Sequence, residues 1–433
     1  MQTRQPQQKT RPAPSDPSVC TPVRQANHPA PLTRKDLRAQ QKTAALEEKQ
    51  RREDEQYVRV LTGIDRPFLI LVLALLAFGV VMGFSASYSY ASYKYDDSLY
   101  FFKRHLLFAV VGLIAMFLCL YIPIRGIRWL TAPAYIGAIG LLVLVLIPGI
   151  GVAEGEAQRW IAIPGVGTFQ PSEIAKLAMI MALAWYISRY QEKISDYRRG
   201  AGSFRYGVIG CGIIMALIAG LVALEHHISG TLIIAMIAVV MMFMGRVRVR
   251  YLLIIGGILA AVAVFLIFVS GYGQTRIAVW LDPWLDPRGK GFQTIQGLYA
   301  IGSGGIFGVG LGNSFQKYGF VSQPQNDFIF SIICEELGFI GALAVIGLFL
   351  ALAWRGYIIA RNAPDLYSSL LVFGIVIQVV LQAALNIAVV TNTIPNTGIS
   401  LPFFSSGGTS LVILMTEMGI VLSVSRYSYQ KRS

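Results

Sequence analysis

The chain has 433 residues, of which 55% are hydrophobic and only 14% charged, with a formal net charge of +14. Runs of about 18 or more apolar residues read as membrane spans, so this composition excludes a soluble globular protein. Nucleic-acid binding is excluded as well, because Lys and Arg fall in the N-terminal stretch and between apolar runs, not on one folded face.

Residues 1–56 are rich in Gln, Pro, Thr, Lys and Arg. They lack the apolar content to fold, and a basic tail over 1–60 is expected to be disordered and cytoplasmic. The first apolar run is expected to act as an uncleaved anchor. Spans are predicted at 67–87, 105–122, 131–149, 171–188, 206–222, 229–245, 251–270, 328–353, 368–391 and 400–425. The fold class is therefore an all-α polytopic membrane protein. It has about ten transmembrane helices in a membrane domain over 61–427, one long extracytoplasmic loop over 271–327, and a short tail over 428–433. Orientation follows from Lys and Arg in short loops. Arg125, Arg128, Arg189, Lys193, Arg198, Arg199, Arg205, Arg246, Arg248, Arg250, Arg355 and Arg361 mark the face shared with the basic tail. Both termini are expected in the cytoplasm, and 271–327 outside it.

Cys20, Cys119, Cys211 and Cys334 are far apart with no metal-ligand spacing, and read as small apolar residues. In 154–176, Pro171 is expected to start a helix, since its missing N–H costs nothing there. Glu173 and Lys176 are then i,i+3 neighbours, an ion pair that either orients substrate or neutralises itself. Arg159, beside Trp160, reads either as a phosphate ligand or as an interface anchor. Glu225, His226 and His227 occupy a short outer turn, but adjacent histidines point apart and do not make a metal site.

The long loop carries Arg276, the glycine-rich run Gly302–Gly312, and Lys317. Its glycines allow left-handed backbone, and its N–H groups offer either a phosphate cradle or a tight re-entrant turn. Asp327 ends the loop, seven uncharged residues before Glu335 and Glu336. Ionisable groups at membrane depth are costly, which makes Asp327 the leading functional candidate. Residues 391–410, including Ser405, are broken by Pro395 and Pro402. Broken backbone is tolerated where it lines a cavity, so this segment is expected to border the cavity of Asp327.

Five segments together resemble the SEDS family (shape, elongation, division and sporulation) over nearly all of 60–427. They are Ala157–Trp160, Gln170–Lys176, Gly302–Gly312, Asn326–Phe330 with Glu335–Gly338, and Pro402–Ser405. The resemblance implies polymerisation of lipid II into peptidoglycan glycan strands, with Asp327 matching the family's essential aspartate. It also implies a class B penicillin-binding protein as partner, alongside division or elongation complex proteins and membrane lipids. The long N-terminal tail looks FtsW-like or sporulation-like. The chain departs from the family pattern at Ser405-Ser406, where Ser-Tyr is usual, and at His226–Thr231. On this reading Asp327 is the general base, and Arg159, Lys176, Arg276 and Lys317 are the cations for the diphosphate, with Glu173 and Ser405 lining the substrate site. A divalent cation such as Mg or Mn is the one cofactor left open. The rival readings are a lipid II flippase and a division scaffold.

Overall fold

A computed structural model describes residues 57–61, 63–154, 157–163, 167–195, 202–225, 227–269, 271–289, 291–321, 324–405 and 407–431. Residues 1–56 of the expected tail, and His226, Ser406, Cys20, Arg198 and Arg199, lie outside the described residues.

The chain is overwhelmingly helical. Helices α1 (Arg66–Tyr95), α2 (Tyr100–Tyr121), α3 (Ile124–Leu146), α4 (Pro171–Ser195), α5 (Ser203–Leu224), α6 (Ile228–Met244) and α7 (Val249–Val269) form the first part. After α8 (Gly271–Leu281) and α9 (Phe292–Gly304) come α10 (Ile329–Arg361), α11 (Leu366–Val390) and α12 (Gly408–Ser425). Among the described residues, α1, α2, α3, α5, α10, α11 and α12 are long and apolar enough to cross a membrane. The other predicted spans fall on α4, which carries Glu173 and Lys176 in its early turns, and on the shorter apolar helices α6 and α7.

Local chemistry sets several helix starts. Asp65 caps α1 by accepting from the Phe68 N–H at 2.9 Å, and Pro67 occupies the first turn. Asp365 caps α11 in the same way, accepting from Ser368 N–H at 2.8 Å. Pro171 opens α4 as its sequence context predicts. α12 starts only at Gly408, later than the predicted span, because the Pro402–Ser405 stretch turns tightly.

The core is arranged around α11, which packs against α4, α6, α10 and α12. Its most apolar stretch is 61% buried and that of α12 is 67% buried, against 22% for α3 at the periphery, so α11 and α12 form the inside of the bundle. The ends of the helices alternate. Asp65 meets Arg355 at 2.9 Å, Arg128 meets Asp365 at 2.8 Å, and Arg426 donates to the Leu120 carbonyl at 3.1 Å, all at one end of the bundle.

Two small sheets interrupt the expected all-helical plan. Strands β2 (Gly151–Glu154), β3 (Ala157–Ile163) and β4 (Gly167–Phe169) form an antiparallel sheet between α3 and α4. Strands β1 (Tyr57–Leu61) and β5 (Tyr427–Lys431) pair antiparallel, so part of each expected tail is ordered. β1 carries Tyr57, Val58 and Val60 and β5 carries Tyr427 and Tyr429, residue types that favour a pleated ladder. The long loop 271–327 is likewise helical over α8 and α9.

Candidate active site

Opposite the paired chain ends, α6, α8, the start of α10 and residues 391–405 converge. Asp327 stands there half-buried, immediately before Phe328, which caps α10. Asn386 of α11, fully buried, donates one hydrogen bond to the Asp327 carbonyl at 2.7 Å and another to the Ile399 carbonyl at 2.6 Å. Ser405 donates to the Asn326 carbonyl at 2.8 Å and accepts from the Leu401 N–H at 2.8 Å. The peptide units on both sides of Asp327's Cα are thereby pinned, which fixes the direction of its side chain. A Cβ on Gly398, whose φ is +63°, would lie 3.3 Å from Oδ2 of Asp327. The 391–405 segment does border Asp327, as its broken backbone predicts.

That segment is held from several sides. Arg276 donates to the Asn396 carbonyl at 3.1 Å, and Trp280 to the Asn392 carbonyl at 3.0 Å. Ser229, at the start of α6, donates to the Thr397 carbonyl. Phe403 adopts φ +70°, an uncommon value for a non-glycine residue and one that clusters at ligand sites. Gly79 of α1 makes room for its carbonyl, which a Cβ there would strike. Phe404 is fully buried against Phe78.

Under this segment runs a narrow cleft whose polar lining includes Glu173, Gln378, Gln382, Ser405 and Glu417. Lys176 pairs with Glu173 at 2.8 Å and donates to Gln382 at 3.2 Å. Gln378 donates to both oxygens of Glu417 at 2.9 and 3.0 Å. Gln378, Gln382 and Asn386 thus form an i, i+4, i+8 column on α11, joining the cleft to the Asp327 backbone. The sequence reading treats α11 as a plain apolar span and misses this column. Its signal was there: three amides at helical spacing in a segment that is otherwise apolar.

Arg159 lies half-buried on β3, where its charge bears on Glu225 and His227. Glu225 is 1% exposed, and neither carboxylate oxygen has a hydrogen-bond partner among the described residues. Burial pushes its carboxyl up to about 8, against the lowering pull of Arg159. Burial, with Arg159 and Lys176 adding to it, pushes His227 down to about 3.

Two expectations are corrected. Lys317 is 2% exposed and spent inside the protein: its ammonium meets Glu336 at 2.9 Å, the Gly312 carbonyl at 2.6 Å and Ser85 at 3.5 Å. A buried ammonium with its donors used cannot also hold a diphosphate. Nor is the glycine run a phosphate cradle. The Val309 and Gly310 N–H groups donate to the Glu335 and Glu336 carbonyls at 3.0 Å, while Phe339 and Ile340 donate back to Gly305 and Ile306 at 2.9 and 3.2 Å. The helix α10 is broken at Gly338, φ +67°, and the glycine run satisfies the freed backbone. Side chains at Gly304, Gly308 or Gly338 would strike backbone across this contact.

No group of three or more His, Cys, Asp or Glu side chains among the described residues converges as metal ligands.

Comparison with known proteins agrees with this architecture. Residues 66–430 match the FTSW_RODA_SPOVE family, described as "Cell cycle protein". Stage V sporulation protein E of Bacillus subtilis is 43% identical over 369 residues, 85% of this chain and 98% of that protein. The probable peptidoglycan glycosyltransferase FtsW of Geobacter sp. strain M18 is 38% identical over 368 residues, 85% of this chain and 98% of that one. Among solved structures, a chain of a peptidoglycan synthase complex that coordinates polymerization and crosslinking superposes with a TM-score of 0.68 at 28% identity, covering 84% of this chain and 98% of that one. The rod shape determining protein RodA of Thermus thermophilus superposes at 0.62 with 26% identity, covering 86% and 99%.

Proposed function

This chain belongs to the FtsW/RodA/SpoVE family of cell cycle proteins, and we propose that it is a multi-pass membrane peptidoglycan glycosyltransferase whose general base is Asp327. The comparisons favour this polymerase over the transporter and scaffold readings. Its substrate is lipid II, on the extracytoplasmic side, with both chain ends in the cytoplasm. A class B penicillin-binding protein cross-links the product.

The donor sugar's diphosphate is already a good leaving group, so the reaction needs charge stabilisation more than acid catalysis. One carboxylate then suffices, where a glycosidase uses two. Asp327 takes the proton from the acceptor's 4-hydroxyl as that oxygen attacks the anomeric carbon. The bond to the diphosphate breaks, undecaprenyl diphosphate leaves, and an α-linked donor becomes a β-1,4 linkage. Arg276 and Arg159 are the cations assigned to the diphosphate, with the Glu173–Lys176 pair in the adjoining cleft positioning the sugar.

The observation that carries this reading is the double pinning of Asp327 by Asn386 and Ser405. It holds a carboxylate at a fixed angle where a loop meets a membrane helix. The test is lipid II elongation by the purified chain, with and without a chelator, for wild type and Asp327→Asn. Loss of product in a folded Asp327→Asn protein is expected; full activity there removes the general base.

A further inference from the structure

A second groove lies at the other end of the bundle, among the start of α3, the end of α4 and the start of α11. It is open, with ≈ 700 Å³ of empty space, and is lined by Arg128, Trp185, Ser188, Arg189, Asp365 and Tyr367. The glycosyl-transfer reading makes no use of it.

Its charges are arranged unequally. Arg128 is tied down: it meets Asp365 at 2.8 Å and stacks 4.7 Å over the Tyr367 ring. The Tyr367 hydroxyl is in turn fixed 3.0 Å from Thr131, so the platform under Arg128 is rigid. Asp365 is fully engaged, with its other oxygen on the Ser368 N–H at 2.8 Å. Arg189, across the groove, is exposed and makes no hydrogen bond or ion pair among the described residues. Two guanidinium groups and one neutralised carboxylate leave one net positive charge facing the space, with the Ser188 hydroxyl beside it. The α11 N-terminus adds its positive dipole end to the same space.

The surroundings are apolar and aromatic. Trp185 is 42% exposed within the groove, and Trp129, next to Arg128 in sequence, is 77% exposed. Tryptophan at helix ends beside arginine is the composition of a membrane interface, and basic pockets between spans bind anionic lipid headgroups. A soluble anion would have no use for the aromatic rim.

We propose that this groove binds the phosphate of an anionic phospholipid, with Arg128 and Arg189 as its two cationic walls. The headgroup phosphate enters between the guanidinium groups, and the acyl chains lie against Trp185 and the outer face of α3.

The test uses the full chain in detergent and native mass spectrometry, with phosphatidylglycerol, phosphatidylcholine or glycerol 3-phosphate added in turn. Wild type is expected to retain phosphatidylglycerol over phosphatidylcholine by about fivefold or more, the worth of one interfacial arginine. Arg189→Gln should remove most of that preference without shifting the melting temperature, and Arg189→Lys should restore it. Equal retention of the two lipids, or an unchanged preference in Arg189→Gln, overturns the proposal. Glycerol 3-phosphate held as tightly as phosphatidylglycerol also overturns it, in favour of a soluble phosphate ligand.

Discussion

Asp327, just before α10, and Glu336, in its first segment, are both acids at membrane depth, and the protein holds them in opposite ways. Glu336 is fully buried, and every oxygen is engaged: Lys317 at 2.9 Å and Ser85 at 2.6 and 2.7 Å close around it. Glu335 beside it receives Ser314 and the Phe315 N–H, so the two acids hold down residues 312–317. Asp327 is only half-buried, and Asn386 and Ser405 hold the backbone on either side of it. An acid at membrane depth is therefore a poor guide to function until its partners are known. A carboxylate sealed by a buried cation is scaffold, whereas a half-buried one on a pinned backbone is the better candidate for chemistry.

Mutations should pull these roles apart. The largest effect on activity is expected from Asp327→Asn, a loss of about 10²–10⁴-fold in glycan synthesis with little change in melting, read by lipid II elongation and thermal unfolding together. Lys317→Met should do the reverse. Stranding Glu336 without its cation costs about 3–5 kcal/mol of stability, seen as a lower melting temperature, and activity falls only as the fold fails. A melting temperature unchanged in Lys317→Met would place Lys317 outside the scaffold. Asn386→Ala should lie between the two: releasing the Asp327 carbonyl misplaces the base and lowers the rate about 10²-fold, with a stability cost of about 1–3 kcal/mol.

The smallest effect concerns Glu225. Its carboxyl is neutral in the fold up to about 8, while an unfolded glutamate ionises near 4.5. The folded state thus holds the extra proton between those values, and stability falls as pH rises through that window. His227 is neutral above its ordinary value of 6.5 in both states, so its own titration adds nothing to the Glu225 contribution between 6.5 and 8. Glu225→Gln should make the fall of the melting temperature over that range shallower, and an unchanged slope would remove Glu225 from it.

Much of this was legible in the chain. Pro171, the Glu173–Lys176 pair, the Asp327 junction and the broken 391–405 segment are local signals, each carried by residues within a few turns. What sequence reasoning missed is contact across distance. The glycine run looks like a phosphate loop until its partner, the backbone opened at Gly338, is known. Lys317 looks available until Glu336 folds over it. The β1–β5 pair joins segments at opposite ends of the chain, where each alone reads as tail. Asn386 is a different case: its spacing from Gln378 and Gln382 was visible, and the surrounding apolar residues masked it.

That column of amides also bears on how the protein is made. A ribosome feeds α11 toward the bilayer before α12 has been synthesised, so Gln378 reaches lipid ahead of Glu417, the group it will finally meet. Gln382 can find Lys176 on a helix already in place. The polar face of α11 is therefore completed only when the last helix arrives, and a nascent chain stopped short of Glu417 leaves Gln378 without the carboxylate it meets in the fold.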